Sequence, residues 1–556
     1  MRSTIRLRAA AAVTLLALAL TGCGSSDSAQ PTTAGKGSSK GSAAGGSEPD
    51  YTPTGKLLAD SGFRPATNGF GFQNYGNDEN PANLTADTMR TLFGDSVCAN
   101  TADGHCALIP QAEAWMEEQN KGMGAGHCYG MSVTSLLLQS KQLDPAKYGA
   151  DSAAKIDLAG NQALQTMIAQ QFVGQFMPDV VAGQIKGTPK QIVDKLVELL
   201  KPGAKETYSI GFYKRDMTGG HEVTPYAVED KGDGKAAILI YDNNYPGVTR
   251  HIDVDRTADT WRYETASNPA EPSEPYEGDA STGTLALDPT TPAQKTHQFA
   301  YTAHDAKGAK GGAPAGGPPV TVYLDGNPID HGHLLISDDK GRRIGYLNGK
   351  RVNEIPGARF VDVKANNSTY AYEPDYELPP DTHFTVTVDG TGLKKADSTD
   401  VTILGDAFAV TVSGIKLAPG AKSTIDMSVD GDRVTYSSTD AQAPDIEIGE
   451  AYDAADYTFT AKQAAVGAGG TVTVSLPLDR NVFTVDASKS GAAGAIGVLM
   501  ERVDDHAART FQKDGVTVAA GASAAFDFDG WDGGGTSITL TVTDRGTPTT
   551  TQLPAK

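Results

Sequence analysis

Four cysteines occur in the 556 residues of the chain, and Cys128 has the setting best suited to chemistry. It stands between the glycine-rich stretch GMGAGH and the run CYGMSVTSLLLQS, whose apolar spacing predicts a helix that begins at the cysteine. A helix N-terminus stabilises a thiolate and lowers its pKa. We therefore predict a nucleophilic Cys128. A buried inert thiol is the alternative, and a metal ligand fits poorly because no Cys-x-x-Cys or His-x-x-x-His spacing accompanies it.

A nucleophilic thiol needs a base, usually a histidine, and a third group that orients the base. His221 follows a Gly-Gly pair and opens a strand-like run, and KGDGK then predicts a hairpin turn. The returning strand, 236–241, is followed by Asp242, Asn243 and Asn244. Because a hairpin places the start of its first strand beside the end of its second, we expect His221 to lie next to this polar cluster. A hydrogen-bonded structural histidine is the alternative.

The motifs GHCYGMS, GGHEVTPYAVE and IYDNNYPG, in this order, resemble those of the papain-like cysteine peptidase superfamily. The resemblance covers residues 56–292 and implies an α+β domain with a cleft between a helical half and a β half. By motif, Cys128 is the nucleophile, His221 the base and Asp242 the orienting residue, with Asn243 or Asn244 as alternatives.

The resemblance also implies a glutamine that donates to the oxyanion. Gln119 fills that role here, although it lies farther upstream of the cysteine than is usual, and Asn120 competes with it. Tyr129 stands where the family usually has tryptophan. The backbone N–H of Cys128 is expected to supply part of the oxyanion site.

The N-terminus predicts export. Basic residues and an apolar stretch too short to span a bilayer precede LTGC, which ends at Cys23 and resembles a bacterial lipobox. We expect residues 1–22 to be removed, Cys23 to carry a lipid on the outer face of the cytoplasmic membrane, and 23–55 to be a flexible tether. An ordinary signal cut near Cys23 and an uncleaved anchor are the alternatives. In an oxidising compartment, Cys98 and Cys106 of CANTADGHC should form a disulfide rather than stay free.

The rest of the chain predicts accessory β structure. Residues 293–318 form a Gly/Ala/Pro linker, and alternating patterns with frequent turn signals then predict immunoglobulin-like β-sandwiches over 319–442 and 443–556. His331 and His333 could form a metal pair, but the sequence shows no third ligand, so polar loop residues are expected and no metal or cofactor is predicted. The 47 basic and 68 acidic residues, net −21, argue against nucleic acid as a partner.

Together these features predict a multidomain protein, an α+β papain-like domain followed by all-β sandwich domains. The expected function is that of a lipid-anchored extracellular cysteine hydrolase acting on a peptide or protein substrate. A transglutaminase-like acyltransferase is one alternative. The other is a binding or adhesion lipoprotein whose papain-like domain is catalytically idle.

Overall fold

The computed structural model describes residues 50–101, 104–264, 275–302, 317–365, 372–380, 382–452, 455–531 and 537–554. The predicted signal peptide, Cys23, and most of the predicted tether and linker lie outside these described residues. The described residues form one compact unit. Among the described residues, every helix is too short or too polar to cross a bilayer.

The first half combines helices with an antiparallel sheet. Its described α-helices are α1 (Pro65–Asn68), α2 (Ala86–Phe93), α3 (Pro110–Gly122), α4 (Cys128–Gln139), α5 (Gln162–Phe172), α6 (Pro178–Gly183) and α7 (Pro189–Leu199). Its described strands are β1 (Lys56–Asp60), β2 (Cys98–Asn100), β3 (Ala107–Leu108), β4 (Ile185–Lys186), β5 (Tyr208–Phe212), β6 (His221–Gly232), β7 (Lys235–Tyr241), β8 (Thr249–Asp255), β9 (Thr260–Tyr263), β10 (Tyr276–Asp279) and β11 (Leu285–Pro289). The main sheet has the order β10-β9-β8-β7-β6-β5-β11-β4, with β1 paired to β6.

Helix α4 carries the cysteine and is buried along nearly its whole length, from Cys128 to Leu138. It packs on α5 and on strands β5 and β6. The close approach to α5 depends on Gly130, where an added Cβ would lie 2.1 Å from the carbonyl oxygen of Ile168. Helix α4 is thus held between α5 and the sheet, with its N-terminus against the start of β6.

The hairpin predicted after His221 is present as β6 and β7. Thr224 pairs with Tyr241 and Gly232 pairs with Lys235, so the start of β6 lies beside the end of β7. At its other edge, β6 pairs with β5 through Phe212 and His221. The register therefore places His221 and the residues that follow Tyr241 at the same end of the sheet.

The second half consists of two large antiparallel sheets. Its described strands are β12 (Val320–Asp325), β13 (His333–Asp338), β14 (Arg343–Leu347), β15 (Lys350–Asn353), β16 (Arg359–Val361), β17 (Asp375–Leu378), β18 (Phe384–Asp389), β19 (Asp397–Gly405), β20 (Phe408–Leu417), β21 (Lys422–Met427), β22 (Arg433–Ser438), β23 (Asp445–Ala451), β24 (Asp456–Lys462), β25 (Thr471–Ser475), β26 (Val482–Lys489), β27 (Gly494–Val503), β28 (Ala508–Val518), β29 (Ala522–Asp527), β30 (Ile538–Asp544) and β31 (Thr547–Leu553). One sheet has the order β16-β17-β12-β19-β20-β23-β24-β27-β28, and the other has β15-β14-β13-β18-β21-β22-β25-β26-β29-β30-β31.

Both sheets continue across the boundary expected between residues 442 and 443. Strand β20 pairs with β23 and β22 pairs with β25, so hydrogen bonding crosses this point in each sheet. One apolar core likewise includes residues from both sides, among them Val410 and Phe483. The two predicted sandwiches therefore share their sheets and their core. An alternating strand pattern does not show whether the next hairpin extends an existing sheet or starts a new one.

The two halves also share an apolar core. Trp115 of α3 belongs to the same buried cluster as Tyr323, Leu404 and Ala409 of the second half. A hydrogen bond of 2.8 Å from the Thr402 hydroxyl to Glu118 Oε1 adds a polar contact to this interface. Residues of the second half are therefore positioned to take part in a site that the first half begins.

Candidate functional site

A histidine–aspartate pair lies at the end of the β6–β7 hairpin. His221 Nε2 is 2.9 Å from Asp242 Oδ1, and both side chains are 0% exposed. The Tyr263 hydroxyl donates to Asp242 Oδ2 at 2.5 Å, and the backbone N–H of Asn244 donates to Oδ1 at 2.9 Å. Burial alone would raise the pKa of Asp242, but His221 and these donors outweigh it and hold that pKa below its ordinary value. Asp242 therefore remains an anion and fixes the imidazole.

The other nitrogen of His221 has no partner. Nδ1 is buried and has no hydrogen-bond partner. Phe212 packs edge-on to the imidazole, with ring centroids 5.5 Å apart, and Asn244 Nδ2 lies 3.3 Å from Nε2. A histidine whose role was only structural would be expected to have both ring nitrogens satisfied when fully buried.

Cys128 occupies the first turn of α4 and is joined to the histidine strand through Asn243. The Asn243 amide donates to the carbonyl oxygens of Cys128, at 3.1 Å, and Glu222, at 3.0 Å. It also lies 3.1 Å from Ser132 Oγ, whose hydroxyl donates to the Glu222 carbonyl at 3.0 Å. The three segments that the sequence motifs single out thus meet around one buried amide, although Cys128 and Asn243 are 115 positions apart.

The thiol itself is in a different state from the one the sequence predicts. Burial raises the pKa of Cys128 well above its ordinary value, and the carboxylates of Glu222 and Asp242 raise it further. A hydrogen bond from the Glu222 backbone and the charge of Lys364 act in the opposite direction but do not compensate. The expectation of a lowered pKa was based on the helix N-terminus alone, whose effect is smaller than the desolvation of a fully buried thiol. In this structure Cys128 is therefore a neutral thiol.

A short stretch of the second half, residues 362–365, packs against the segments that carry these groups, and we call it the cover segment. The Tyr213 hydroxyl donates to the Asp362 carbonyl at 2.9 Å, and the Lys364 N–H donates to Gln175 Oε1 at 2.8 Å. The segment also passes close to the glycines just before Cys128 and His221. A Cβ on Gly126 would lie 2.3 Å from the Ala365 carbonyl oxygen, and one on Gly220 would lie 2.5 Å from that of Val363.

Lys364 anchors the cover segment through a buried ion cluster. Its Nζ lies 2.9 Å from Glu222 Oε2, contacts Asp288 Oδ2, and lies 5.4 Å from the centre of the Tyr129 ring. Glu222 and Asp288 are completely buried. Burial raises the pKa of Glu222 to about 8, while Lys364 opposes that rise. A cation thus sits between two buried carboxyl groups, one of which belongs to Glu222, the residue that follows His221.

The residues predicted to donate to the oxyanion have other settings. Gln119 is buried, and no hydrogen bond among the described residues joins it to Cys128 or His221. Asn120 binds the backbone of Leu84, with Oδ1 accepting from its N–H and Nδ2 donating to its carbonyl. The long spacing between Gln119 and Cys128 is the sequence feature that signalled this difference from the family pattern.

Asn74 is a candidate that the sequence did not reveal. Its Oδ1 accepts the N–H of His127, the residue before the cysteine, at 2.7 Å, and its own N–H donates to the Asn243 carbonyl at 2.9 Å. Its Nδ2 is buried without a hydrogen-bond partner. No spacing rule links Asn74 to Cys128, because the stretch that carries it reaches the site only through tertiary packing.

His127 is used structurally. Its Nδ1 donates to the Tyr75 carbonyl at 2.7 Å, its Nε2 lies 3.0 Å from Asn83 Oδ1, and its ring stacks on that of Tyr75. Burial lowers its pKa to about 4. The predicted disulfide between Cys98 and Cys106 is present and joins the start of β2 to the residue before β3, leaving Cys128 as a free thiol.

The chain matches no protein-family model, no curated protein sequence and no solved structure. The site is therefore interpreted from its own geometry. A thiol on a helix N-terminus, an imidazole with one unpartnered nitrogen and a fixed aspartate occur in the order Cys128, His221, Asp242 along the chain. This set of groups is suited to nucleophilic catalysis by cysteine.

Proposed function

We propose that the first half is a papain-like cysteine hydrolase held in a closed form. The observation that carries the proposal is the state of His221, whose Nε2 is fixed by Asp242 and whose Nδ1 is buried and unpartnered, on a strand that Asn243 joins to the turn bearing Cys128. In such a site the unpartnered nitrogen is the one that can accept the thiol proton. A structural histidine would not require an aspartate held by two further donors.

The proposed reaction uses these groups in sequence. His221 Nδ1 takes the proton of Cys128, and the thiolate sulfur bonds to the carbonyl carbon of a peptide substrate. The resulting imidazolium gives its proton to the leaving amine as the carbon–nitrogen bond breaks. A water molecule, deprotonated by the same imidazole, then attacks the thioester, releasing the acid and restoring the thiol.

The negative oxygen formed in each step needs donors. We propose that the Cys128 backbone N–H and Asn74 Nδ2 supply them, in place of Gln119. The Asn74 backbone N–H donates to the Asn243 carbonyl and its side-chain Oδ1 accepts from the His127 N–H, which leaves Nδ2 without a partner. Removing one such donor typically lowers kcat by about 10²–10³-fold.

The closed form explains how such a site would be controlled. Cys128 and His221 are 0% exposed, so a substrate can reach them only after part of the structure has moved, and we propose that this part is the cover segment. Displacing Lys364 would admit water and allow the helix N-terminus to stabilise the thiolate. We therefore propose that the enzyme is latent until the cover segment is released.

The test compares peptide hydrolysis under reducing conditions by wild type and by Lys364→Met, in which the anchor of the cover segment is lost. We expect Lys364→Met to be the more active, and Cys128→Ala or His221→Ala in that background to lower turnover at least about 10³-fold. His251→Ala, which changes a partly exposed histidine outside the site, should leave turnover unchanged. Equal turnover with and without the Cys128 thiol would refute the proposal.

A non-catalytic role is the second candidate, and complete burial of the thiol is the observation that favours it. A thiol-reactive peptide probe separates the two. In Lys364→Met the hydrolase proposal requires that Cys128 react at pH 7 much faster than free cysteine, whereas an idle domain gives a slower reaction. If the protein is active, products formed with an added amine distinguish acyl transfer, as in transglutaminases, from hydrolysis.

We also propose, from the sequence, that the protein is anchored to the outer face of a bacterial cytoplasmic membrane by a lipid on Cys23. The basic and apolar segments before LTGC support this proposal. Cys23→Ser should move the protein from the membrane fraction to the soluble or secreted fraction and abolish labelling by a radioactive fatty acid. Retention of both properties by Cys23→Ser would contradict it.

A further inference from the structure

Three potential metal ligands converge in the second half of the chain, and one of them, Glu373, lines a cavity shared with Ala125 and Gly220. One ring nitrogen each of His331 and His333 and a carboxylate oxygen of Glu373 all lie within 4.8 Å of one another. The sequence shows the two histidines but not the carboxylate, which is 40 positions from His333. The fold supplies it because Glu373 Oε1 accepts the backbone N–H of Leu334, at 2.8 Å, and so docks on β13 next to the histidines.

The orientation of His331 indicates that a cation belongs between these groups. Its Nδ1 lies 3.1 Å from the Asn327 carbonyl oxygen, to which it can only donate. With the ring proton on Nδ1, Nε2 presents a lone pair. Nε2 is buried without a hydrogen-bond partner and faces Glu373 Oε2 at 3.5 Å. Two electron-rich atoms in a buried setting repel one another unless a positive charge lies between them.

The remaining ligands are held by further contacts, as in metal sites. The Tyr376 hydroxyl donates to Glu373 Oε1, which leaves Oε2 directed at His333 Nδ1, 2.8 Å away. The His333 ring stacks on Tyr346 with centroids 4.1 Å apart. Partners of this kind fix the orientation of metal ligands, and their loss typically weakens binding by about 10–100-fold.

We propose that His331, His333 and Glu373 bind a Zn²⁺ ion. Imidazole nitrogen and carboxylate oxygen suit zinc, whereas Ca²⁺ and Mg²⁺ prefer sets of oxygen ligands. Zinc–ligand bonds of about 2.0–2.1 Å in a tetrahedron place ligand atoms about 3.3 Å apart, and the two histidine–glutamate distances, 2.8 and 3.5 Å, bracket that value. The side chains of His331 and Glu373 are 7% and 1% exposed, but that of His333 is 37% exposed, so the ion can enter there and a water molecule can complete its coordination.

The proposal is independent of the hydrolase and is tested by metal binding alone. The full-length protein is stripped with a chelator and titrated with Zn²⁺ by calorimetry and with Co²⁺ by visible spectroscopy. We expect one equivalent to bind, with the intense Co²⁺ absorption of a four- or five-coordinate site, and Zn²⁺ to displace the Co²⁺. His331→Ala and Glu373→Gln should each weaken Zn²⁺ binding at least about 100-fold.

The matched control is His383→Ala. His383 also pairs with carboxylates, at 2.7 Å from Asp339 and 3.5 Å from Asp426. It is not one of the three proposed zinc ligands. Its loss should leave the affinity unchanged. Because Glu373→Gln could disturb folding through Tyr376, the partly exposed His333→Ala provides a second ligand variant. Absence of stoichiometric binding by the wild type, as expected if a proton rather than a metal joins His331 to Glu373, would overturn the proposal. Binding that is equal in all variants would do the same.

Discussion

The buried cluster around Lys364 gives the sharpest test of how the site is closed. In Lys364→Met the ammonium group is lost while a side chain of similar length remains. The carboxylates of Glu222 and Asp288 stay completely buried and lose the cation that lies between them. The cover segment also loses the Lys364–Glu222 ion pair, which among the described contacts is its only charged link to strand β6.

The expected cost follows from the state of the two acids. Burial raises the pKa of Glu222 above its ordinary value even beside Lys364, so protonating this group in the variant adds little further cost. The second carboxyl must then either stay charged without a partner or take up a proton. Protonation at pH 7 costs about 1.4 kcal/mol for each pH unit above an ordinary carboxyl pKa near 4, or about 4 kcal/mol. This value agrees with the loss of about 3–5 kcal/mol typical when one partner of a buried ion pair is removed.

The sign of the pH dependence follows from the same reasoning. In the variant the folded state holds a carboxyl whose pKa is raised above its unfolded value. Its protonated form is therefore favoured at low pH, and stability is lost as pH rises. We expect the difference between wild type and Lys364→Met to shrink from about 4 kcal/mol at pH 7 to about 1.5 kcal/mol at pH 5.

Two measurements check this prediction. Denaturant unfolding at pH 5 and pH 7 gives the stability difference, and the rate of Cys128 alkylation under native conditions reports opening of the cover segment. If the lost free energy appears in local opening, alkylation should accelerate by up to about 10³-fold, since each factor of ten corresponds to about 1.4 kcal/mol.

Two controls make the result specific. Adding Asp288→Asn to Lys364→Met should recover at least half of the lost stability, because the unpaired charge is removed as well. The exposed Lys350→Met should differ from wild type by less than about 0.5 kcal/mol. A Lys364→Met protein as stable as wild type at pH 7, with Cys128 no more reactive, would refute the assignment of this cluster as the anchor of the cover segment.

Three further changes should have measurable effects. Gly126→Ala should destabilise the protein by about 1–3 kcal/mol and expose Cys128 to alkylation, because Gly126 has φ +146° and an added Cβ would meet a carbonyl oxygen of the cover segment. Gly122→Ala is the control, since Gly122 has open space around it, and it should be neutral or slightly stabilising. Cys98→Ser with Cys106→Ser should lower the free energy of unfolding under oxidising conditions by about 2–3 kcal/mol, the value for a short closed loop, and have no effect when wild type is reduced. Burial raises the pKa of Glu450 to about 9 and leaves one of its carboxyl oxygens unpartnered. The stability of the wild type should therefore fall as pH rises toward 9. In thermal melts Glu450→Gln should be more stable than wild type at pH 8 and lose that advantage by pH 4.

The sequence was sufficient where a local rule applied. Gly-Gly before His221 and the KGDGK turn predicted the hairpin that brings His221 to Asp242, and the run after Cys128 predicted the helix that begins there. The close spacing of Cys98 and Cys106 likewise predicted their disulfide. In each case the residues concerned are near one another in the chain or are joined by one turn, so periodicity and turn chemistry determine the outcome.

Tertiary structure decided what depends on distant segments. The cover segment, Asn74 and Glu373 reach their sites by packing between elements far apart in sequence, and no spacing pattern records such contacts. The state of Cys128 shows the physical reason most directly. Its position on a helix predicts a lowered pKa, but desolvation depends on everything that surrounds the sulfur, and in the folded chain this effect outweighs that of the helix.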